Sequence, residues 1–146
     1  MTVRLVQILE HPAEACFEAF CDAESIPQWV APVESAAVRE RDAEGRPVTI
    51  DFVSTTNTGA RLEYGLVYTY DDTRVTWRAE HSTTDGVRGY ATFVPRLHQP
   101  GSCMMTYVLN YGPDWKGDFL SERERAQGVL DTFAAFLAAR RESPRG

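Results

Sequence analysis

The polar side chains best suited to chemistry in this sequence are one histidine and three tyrosines. His81 continues the face of a strand that carries Trp77, and its imidazole changes charge near neutral pH, which suits proton transfer or the orientation of a carbonyl. Tyr64, Tyr68 and Tyr107 offer hydroxyl groups that can donate to a bound carbonyl or phenol. The simpler alternatives are a histidine that contacts solvent or a turn, and tyrosines that pack while their hydroxyls reach water. The catalytic residue is therefore not assigned by these patterns, and His81 is the candidate for it, with a tyrosine as the other possible acid or base.

Large aromatic residues are the best candidates for the lining of an apolar binding site. Flat rings accept planar or lipid-like ligands, although each ring can equally belong to a solid core. The rings that we expect to line a cavity are those of Trp29, Phe52, Trp77, Phe93 and Phe133. Together with Tyr64, His81 and Tyr107 they form the predicted ligand-binding set.

Other catalytic signatures are missing from the sequence. The three histidines, His11, His81 and His98, show neither HxxxH nor His-x-Glu spacing, so no metal site is predicted. There is no Gly-x-Ser-x-Gly elbow, and Gly112-Pro113-Asp114 does not have the pattern of a phosphate-binding loop. We therefore expect no metal and no cofactor.

Length and composition indicate one globular domain. The 146 residues are 43% hydrophobic and 25% charged, which is ordinary for such a domain. We assign residues 1–141 to it and expect residues 142–146 to fray. The chain has 21 acidic against 15 basic residues and a formal net charge of -6, which argues against nucleic acid as a partner.

No segment of the sequence predicts a membrane span or a secretory signal. Arg4, Gln7 and Glu10 interrupt the opening residues, and the longest apolar stretch, 133–139, is far shorter than the about 20 residues that a bilayer requires. The cysteine count of 3, without a CxxC pair, predicts reduced packing residues and not a disulfide framework. These features predict a cytoplasmic protein, either monomeric or homodimeric.

The middle of the chain has the pattern of strands joined by hairpins. Turn residues recur about every 14 residues, and several of the intervals between them alternate in hydrophobicity. Val75 and Trp77, for example, share one face of their interval, while Thr76 lies on the other. The predicted strands, including an opening one, are residues 2–10, 33–42, 47–55, 60–71, 73–82, 86–97 and 102–111.

Helical patterns flank the predicted strands. His11-Pro12 begins a short helix after the opening strand, and a second short helix is predicted over residues 25–30. Near the end of the chain, Ser121 or the competing Asp118 caps a long helix, which we place over residues 118–141. Its apolar stripe consists of Ala126, Val129, Leu130, Phe133, Phe136 and Leu137.

This order of elements predicts an α+β fold with a central cavity. A curved antiparallel sheet must bury its concave face, and the long amphipathic helix is the element able to cover it. One helix about 10 Å wide cannot fill the concavity of a sheet of seven strands. We therefore expect space for a ligand between the sheet and the C-terminal helix.

Several segments also carry a resemblance to a known family. They are His11-Pro12-Ala13-Glu14, Pro27-Gln28-Trp29-Val30, the Gly89-x-x-x-Phe93-x-Pro95 strand and the Tyr111-Gly112-Pro113 exit from the last strand. With the order of elements, they resemble the START/Bet v 1-like (SRPBCC) superfamily, specifically its polyketide cyclase/dehydrase and lipid-transport branch. The resemblance implies a helix-grip fold, with a seven-stranded curved antiparallel sheet around a long C-terminal helix and two short helices between the first two strands.

The resemblance implies three classes of function. The first is a carrier or sensor that binds a hydrophobic small molecule, such as a lipid, a polyketide or an aromatic compound. The second is a polyketide cyclase/dehydrase that uses His81 or a tyrosine as acid or base. The third is a protein-interaction module. The many aromatic residues and the few candidate acids or bases favour the binding protein.

Overall fold

A computed structural model describes residues 1–56, 58–81, 88–113 and 115–142. Over these residues it contains seven strands, two α-helices and one 3₁₀ helix. In chain order these are β1 (Thr2–Leu9), α1 (Ala13–Cys21), the 3₁₀ helix (Ala23–Gln28), β2 (Val33–Arg41), β3 (Pro47–Thr55), β4 (Arg61–Asp71), β5 (Arg74–Ala79), β6 (Arg88–Arg96), β7 (Gln99–Asn110) and α2 (Phe119–Glu142).

The strands form one antiparallel sheet in the order β1-β7-β6-β5-β4-β3-β2. Consecutive strands from β2 to β7 pair as hairpins, and β1 closes the order by pairing with β7. The alternation of the sequence sets which residues face inward. In β5, for instance, Val75 and Trp77 are buried while Arg74 and Arg78 are exposed. The predicted α+β helix-grip fold is therefore confirmed, including the two short helices between β1 and β2.

The helices cover the inner face of the sheet. Phe17 and Phe20 of α1 contact Phe93 of β6, with ring centroids 6.1 and 5.7 Å apart. Leu130 and Phe133 of α2 belong to the same buried cluster. The long helix is one continuous element, as its apolar stripe predicts, and Asp118 caps it by accepting a 2.9 Å hydrogen bond from the Ser121 N–H.

Several predicted boundaries are wrong by a few residues. The second short helix covers Ala23–Gln28 and not 25–30, and the strand predicted over 73–82 ends at Ala79. β7 begins at Gln99, because the turn before it uses His98 in the left-handed region (φ 62°) and not the predicted Gln99-Pro100-Gly101-Ser102 segment. The predicted start of β6 at residues 86 and 87 lies outside the described residues.

The predictions for the C-terminal tail, the cysteines and a membrane span can be compared with the described residues. Glu142 is the last residue of α2, and the rest of the predicted frayed tail, 143–146, lies outside the described residues. Cys16, Cys21 and Cys103 are buried free thiols, in agreement with their predicted packing role. Among the described residues, no helix is long and apolar enough to cross a membrane.

Candidate functional site

An aromatic cavity of about 190 Å³ lies between the sheet and the segment 20–33. No described residue of α2 lines it, so its predicted position against the C-terminal helix is wrong: Trp29 and Phe20 lie between Phe133 of α2 and the cavity. Its walls come from the inner faces of β3, β4, β5 and β7, from the end of α1, and from the 3₁₀ helix, the start of β2 and the segment that joins them. The lining residues are Phe20, Ile26, Trp29, Val30, Val33, Phe52, Tyr64, Leu66, Tyr68, Trp77 and Tyr107. Because most of this lining is apolar, the cavity suits a hydrophobic ligand that carries one or two polar groups.

The structure brings together five of the predicted ligand-binding residues and separates three from them. Those on the cavity wall are Trp29, Phe52, Tyr64, Trp77 and Tyr107. Phe93 and Phe133 lie outside the wall, fully buried in a layer of rings behind it. His81 also lies outside the wall, at the protein surface.

His81 is exposed because it lies beyond the end of β5. Alternation continues only while the chain remains in a strand, and β5 ends at Ala79. The His81 side chain is 92% exposed, and its Nε2 lies 3.9 Å from Glu80 Oε1. Glu80 in turn accepts two hydrogen bonds from Arg39. His81 therefore belongs to an exposed charged cluster that does not line the cavity.

Trp29 forms the helical wall of the cavity. The 3₁₀ helix ends just before it, and the Thr132 hydroxyl of α2 donates a hydrogen bond to its carbonyl oxygen, which ties this segment to the long helix. Its ring packs 4.8 Å from Phe133 and 5.3 Å from Phe20 between centroids. The indole N–H of Trp29 is buried and has no hydrogen-bond partner among the described residues.

Trp77 forms part of the opposite wall, and Gly89 makes room for it. Trp77 and Gly89 are directly paired across β5 and β6. A Cβ atom on Gly89 would lie 2.8 Å from the Trp77 ring and 2.4 Å from the Val108 carbonyl oxygen. Because only glycine lacks this atom, Gly89 allows the indole to lie flat across the neighbouring strand.

The polar side-chain groups of the lining residues are three tyrosine hydroxyls and the indole N–H groups of Trp29 and Trp77. Tyr64 is hydrogen-bonded to the Ser54 hydroxyl at 2.7 Å. In contrast, the hydroxyls of Tyr68 and Tyr107 make no hydrogen bond to any described residue, whereas Tyr70 and Tyr111 do so elsewhere. Burial raises the pKa of Tyr107 to about 12 and that of Tyr68 well above its usual value. Both phenols are therefore neutral hydrogen-bond donors at physiological pH.

These raised pKa values predict a loss of stability in alkali. Each phenol favours the folded state fully below the usual tyrosine pKa of about 10, and this contribution disappears as the pH rises through the higher folded-state pKa. We expect Tyr68→Phe and Tyr107→Phe to reduce the decline in unfolding free energy between about pH 10 and 12. Urea unfolding at a series of pH values measures this decline. An unchanged decline in both variants would contradict the assignment.

No charged side chain lines the cavity among the described residues. The ionisable groups on its wall are the three phenols, and the described chain contains no cluster of His, Cys, Asp or Glu able to hold a metal ion. The site can therefore exclude water, stack rings and donate neutral hydrogen bonds. The part of its wall that the structure describes presents no carboxylate or imidazole for acid–base chemistry.

Sequence reasoning missed the contribution of the helical segments to the cavity. Phe20, Ile26, Val30 and Val33 all line it, as does Leu66 of β4. The signals that could have found them are the helical spacing of the apolar residues Cys16, Phe17 and Phe20, and the alternation of Leu66 with Tyr64 and Tyr68. The sequence pattern gives the face on which each side chain lies. It does not show whether the side chain reaches the cavity or is buried behind the cavity wall.

Comparison with known proteins identifies the fold. No family model matches the sequence, and no curated protein matches it significantly. Among solved structures, a START superfamily protein from Mycobacterium smegmatis is 17% identical with a TM-score of 0.74, with 95% of each chain covered. A protein from Thermus thermophilus is 17% identical with a TM-score of 0.76, covering 98% of this chain and 100% of its own.

A third similar structure is the Zhui aromatase/cyclase from a Streptomyces species. It is 12% identical, with a TM-score of 0.73, and the match covers 98% of this chain and 96% of that protein. At these identities the likeness concerns the fold and carries no activity with it. The chain has the START/Bet v 1-like (SRPBCC) helix-grip fold.

Proposed function

We propose that this protein binds a neutral hydrophobic small molecule in the aromatic cavity and acts as a carrier or sensor. The observation that supports this most is a wall of rings with two phenol donors that have no described partner. A ligand carbonyl or hydroxyl oxygen can accept from Tyr68 or Tyr107, while its rings stack on Trp29 and Trp77. Fatty-acid-like anions fit less well, because no described cation faces the cavity.

The size of the cavity limits the ligand. A cavity of about 150 Å³ accommodates benzene, and pockets for drug-sized ligands start at about 300 Å³. The value of about 190 Å³ lies between these limits, so a compound of one or two rings fits without rearrangement.

A cyclase/dehydrase is the second candidate function. It is supported by the likeness of the fold to the Zhui aromatase/cyclase. The absence of a carboxylate or imidazole from the described cavity wall leaves Tyr68 and Tyr107 as its available proton donors, and their raised pKa values oppose a role as bases at neutral pH. If His81 is catalytic, His81→Ala abolishes turnover. If the protein is a carrier, this variant keeps full ligand affinity.

A pair of matched probes tests the role of the phenols. Acetylnaphthalene carries a carbonyl acceptor, whereas ethylnaphthalene has nearly the same shape without it. We expect Tyr107→Phe and Tyr68→Phe to weaken acetylnaphthalene binding by about 2- to 10-fold, the size of one hydrogen bond, and to leave ethylnaphthalene binding unchanged. Isothermal titration calorimetry measures both affinities.

Tyr90→Phe is the matched control for this experiment. Tyr90 lies on the outer face of β6 beneath Arg74, whose guanidinium carbon is 3.9 Å from the ring centroid. Removing its hydroxyl should change neither affinity. An equal loss for both naphthalenes, or no saturable binding by the parent protein, would refute the proposed function.

A further inference from the structure

The two edge strands of the sheet differ in how well they are protected from pairing with another strand. β2 is interrupted by register shifts after Val33, Val38 and Glu40, and its end carries several charged residues. β1 pairs with β7 without a single shift from Thr2 to Leu9. Bulges and charges prevent edge-to-edge association, whereas a regular apolar edge promotes it. β1 therefore has the more regular edge, and α2 lies beside it, with Arg123 and Gln127 donating hydrogen bonds to the Arg4 carbonyl and the Gln7 side chain.

Hydrogen bonds show which main-chain groups of β1 face outward. The carbonyl oxygens of Met1 and Leu9 accept hydrogen bonds from β7 or from the residue that follows it, so the odd-numbered residues direct their main-chain groups towards β7. The carbonyl oxygen of Arg4 is instead reached at 3.3 Å by Arg123 of α2. The even-numbered residues thus face the free edge. Among the described residues, the main-chain groups of Val6 and Ile8 have no partner there.

The outer face beside this edge is apolar. Val6 and Ile8 are 49% and 43% exposed. Ile8 lies opposite Met104 of β7, which lies opposite Val94 of β6, and both of these side chains are exposed as well. A contiguous exposed apolar surface of this kind typically marks an interaction site.

We propose that β1 pairs antiparallel with β1 of a second copy of this chain, about a two-fold axis at Gln7. The main-chain N–H and C=O groups at the two free edges can bond only when an even-numbered residue of one copy lies opposite an even-numbered residue of the other. Two-fold axes at Leu5, Val6 or Gln7 satisfy this condition. The first two would place the Arg4 charge opposite an apolar residue, Val6 or Ile8.

The axis at Gln7 gives complementary neighbours on both sides of it, with Glu10 lying just beyond the end of β1. Val6 then lies opposite Ile8 of the partner subunit, and Arg4 lies opposite Glu10 of the partner subunit. Both pairs occur twice, as an isologous interface requires. The second copy would continue the sheet across the axis and cover part of the exposed apolar row. The proposal is independent of the ligand.

Sedimentation velocity of the whole chain over a range of concentrations tests this pairing. The parent protein should show a monomer–dimer equilibrium, and Val6→Lys should shift it to monomer. Val94→Lys is the matched control, since it places the same charge on an equally exposed valine two strands away from the edge, and it should still dimerise. Circular dichroism verifies that both variants are folded.

A charge exchange tests the register. Arg4→Glu and Glu10→Arg should each weaken dimerisation by about tenfold, because each places like charges opposite one another. The double variant should restore the affinity of the parent protein. In addition, the Val6 and Ile8 amides should exchange hydrogen more slowly as the parent protein's concentration rises. A parent protein that stays monomeric, equal effects at Val6 and Val94, or a double variant that is not restored would overturn the proposal.

Discussion

Replacing Phe133 by alanine is expected to lower the free energy of unfolding by about 3 to 5 kcal/mol. The Phe133 side chain has 0% exposure, and its ring lies 4.8 Å from that of Trp29 and 5.6 Å from that of Phe20. Truncation leaves a hole at the junction of α2, α1 and the 3₁₀ helix, which these rigid rings cannot fill. Urea unfolding followed by far-ultraviolet circular dichroism measures the loss.

Phe136→Ala is the matched control on the same helix. Phe136 is only partly buried, with Arg140 against its ring, so its truncation should cost less. The gentler change Phe133→Leu should leave a folded protein in which Trp29 is less firmly supported. We expect this variant to lose affinity for ethylnaphthalene, and Phe136→Leu to lose less. Equal losses of stability at the two positions would show that Phe133 does not form the centre of the core.

Replacing Gly89 by alanine should destabilise the protein by about 1 to 3 kcal/mol, although it adds a single methyl group. The new Cβ would lie 2.4 Å from a main-chain oxygen of β7, an atom that cannot move without shifting the strand. It would also push the Trp77 ring away from its place on the cavity wall. Both unfolding free energy and ligand affinity should therefore fall, as measured by urea unfolding and calorimetry.

Gly128→Ala should have the opposite effect on stability. Gly128 lies within α2, and nothing is found within 4 Å of a Cβ atom built there. Alanine in a helix interior is favoured over glycine by about 0.5 to 1 kcal/mol, so this variant should be more stable than the parent protein. A Gly89→Ala variant as stable as the parent would mean that β6 and β7 separate easily, which would contradict the tight packing around Trp77.

The sequence alone was sufficient to predict the sheet and the helices. Alternation in β5 sets Trp77 on the inner face, and the stripe through Leu130 and Phe133 sets the inner face of α2. These patterns are local, because the side-chain directions of a strand or helix repeat with the geometry of its own backbone. Turn residues then determined the strand count, and an antiparallel order followed from short connections.

The depth of each inward-facing residue was decided only by the tertiary structure. Phe93 and Trp77 have the same inward pattern, yet Phe93 lies in solid core while Trp77 lines the cavity. The difference arises because Phe17 of α1 and Phe133 of α2 pack against Phe93, whereas Phe20 contacts both Phe93 and Trp77.

The exposure of His81 likewise depends on where β5 ends. The surroundings of the Tyr68 and Tyr107 hydroxyls depend on which segments pack against them. Periodicity specifies the face on which a side chain lies. What occupies the space in front of that face is set by elements distant in the sequence, so only their packing decides which residues form the site.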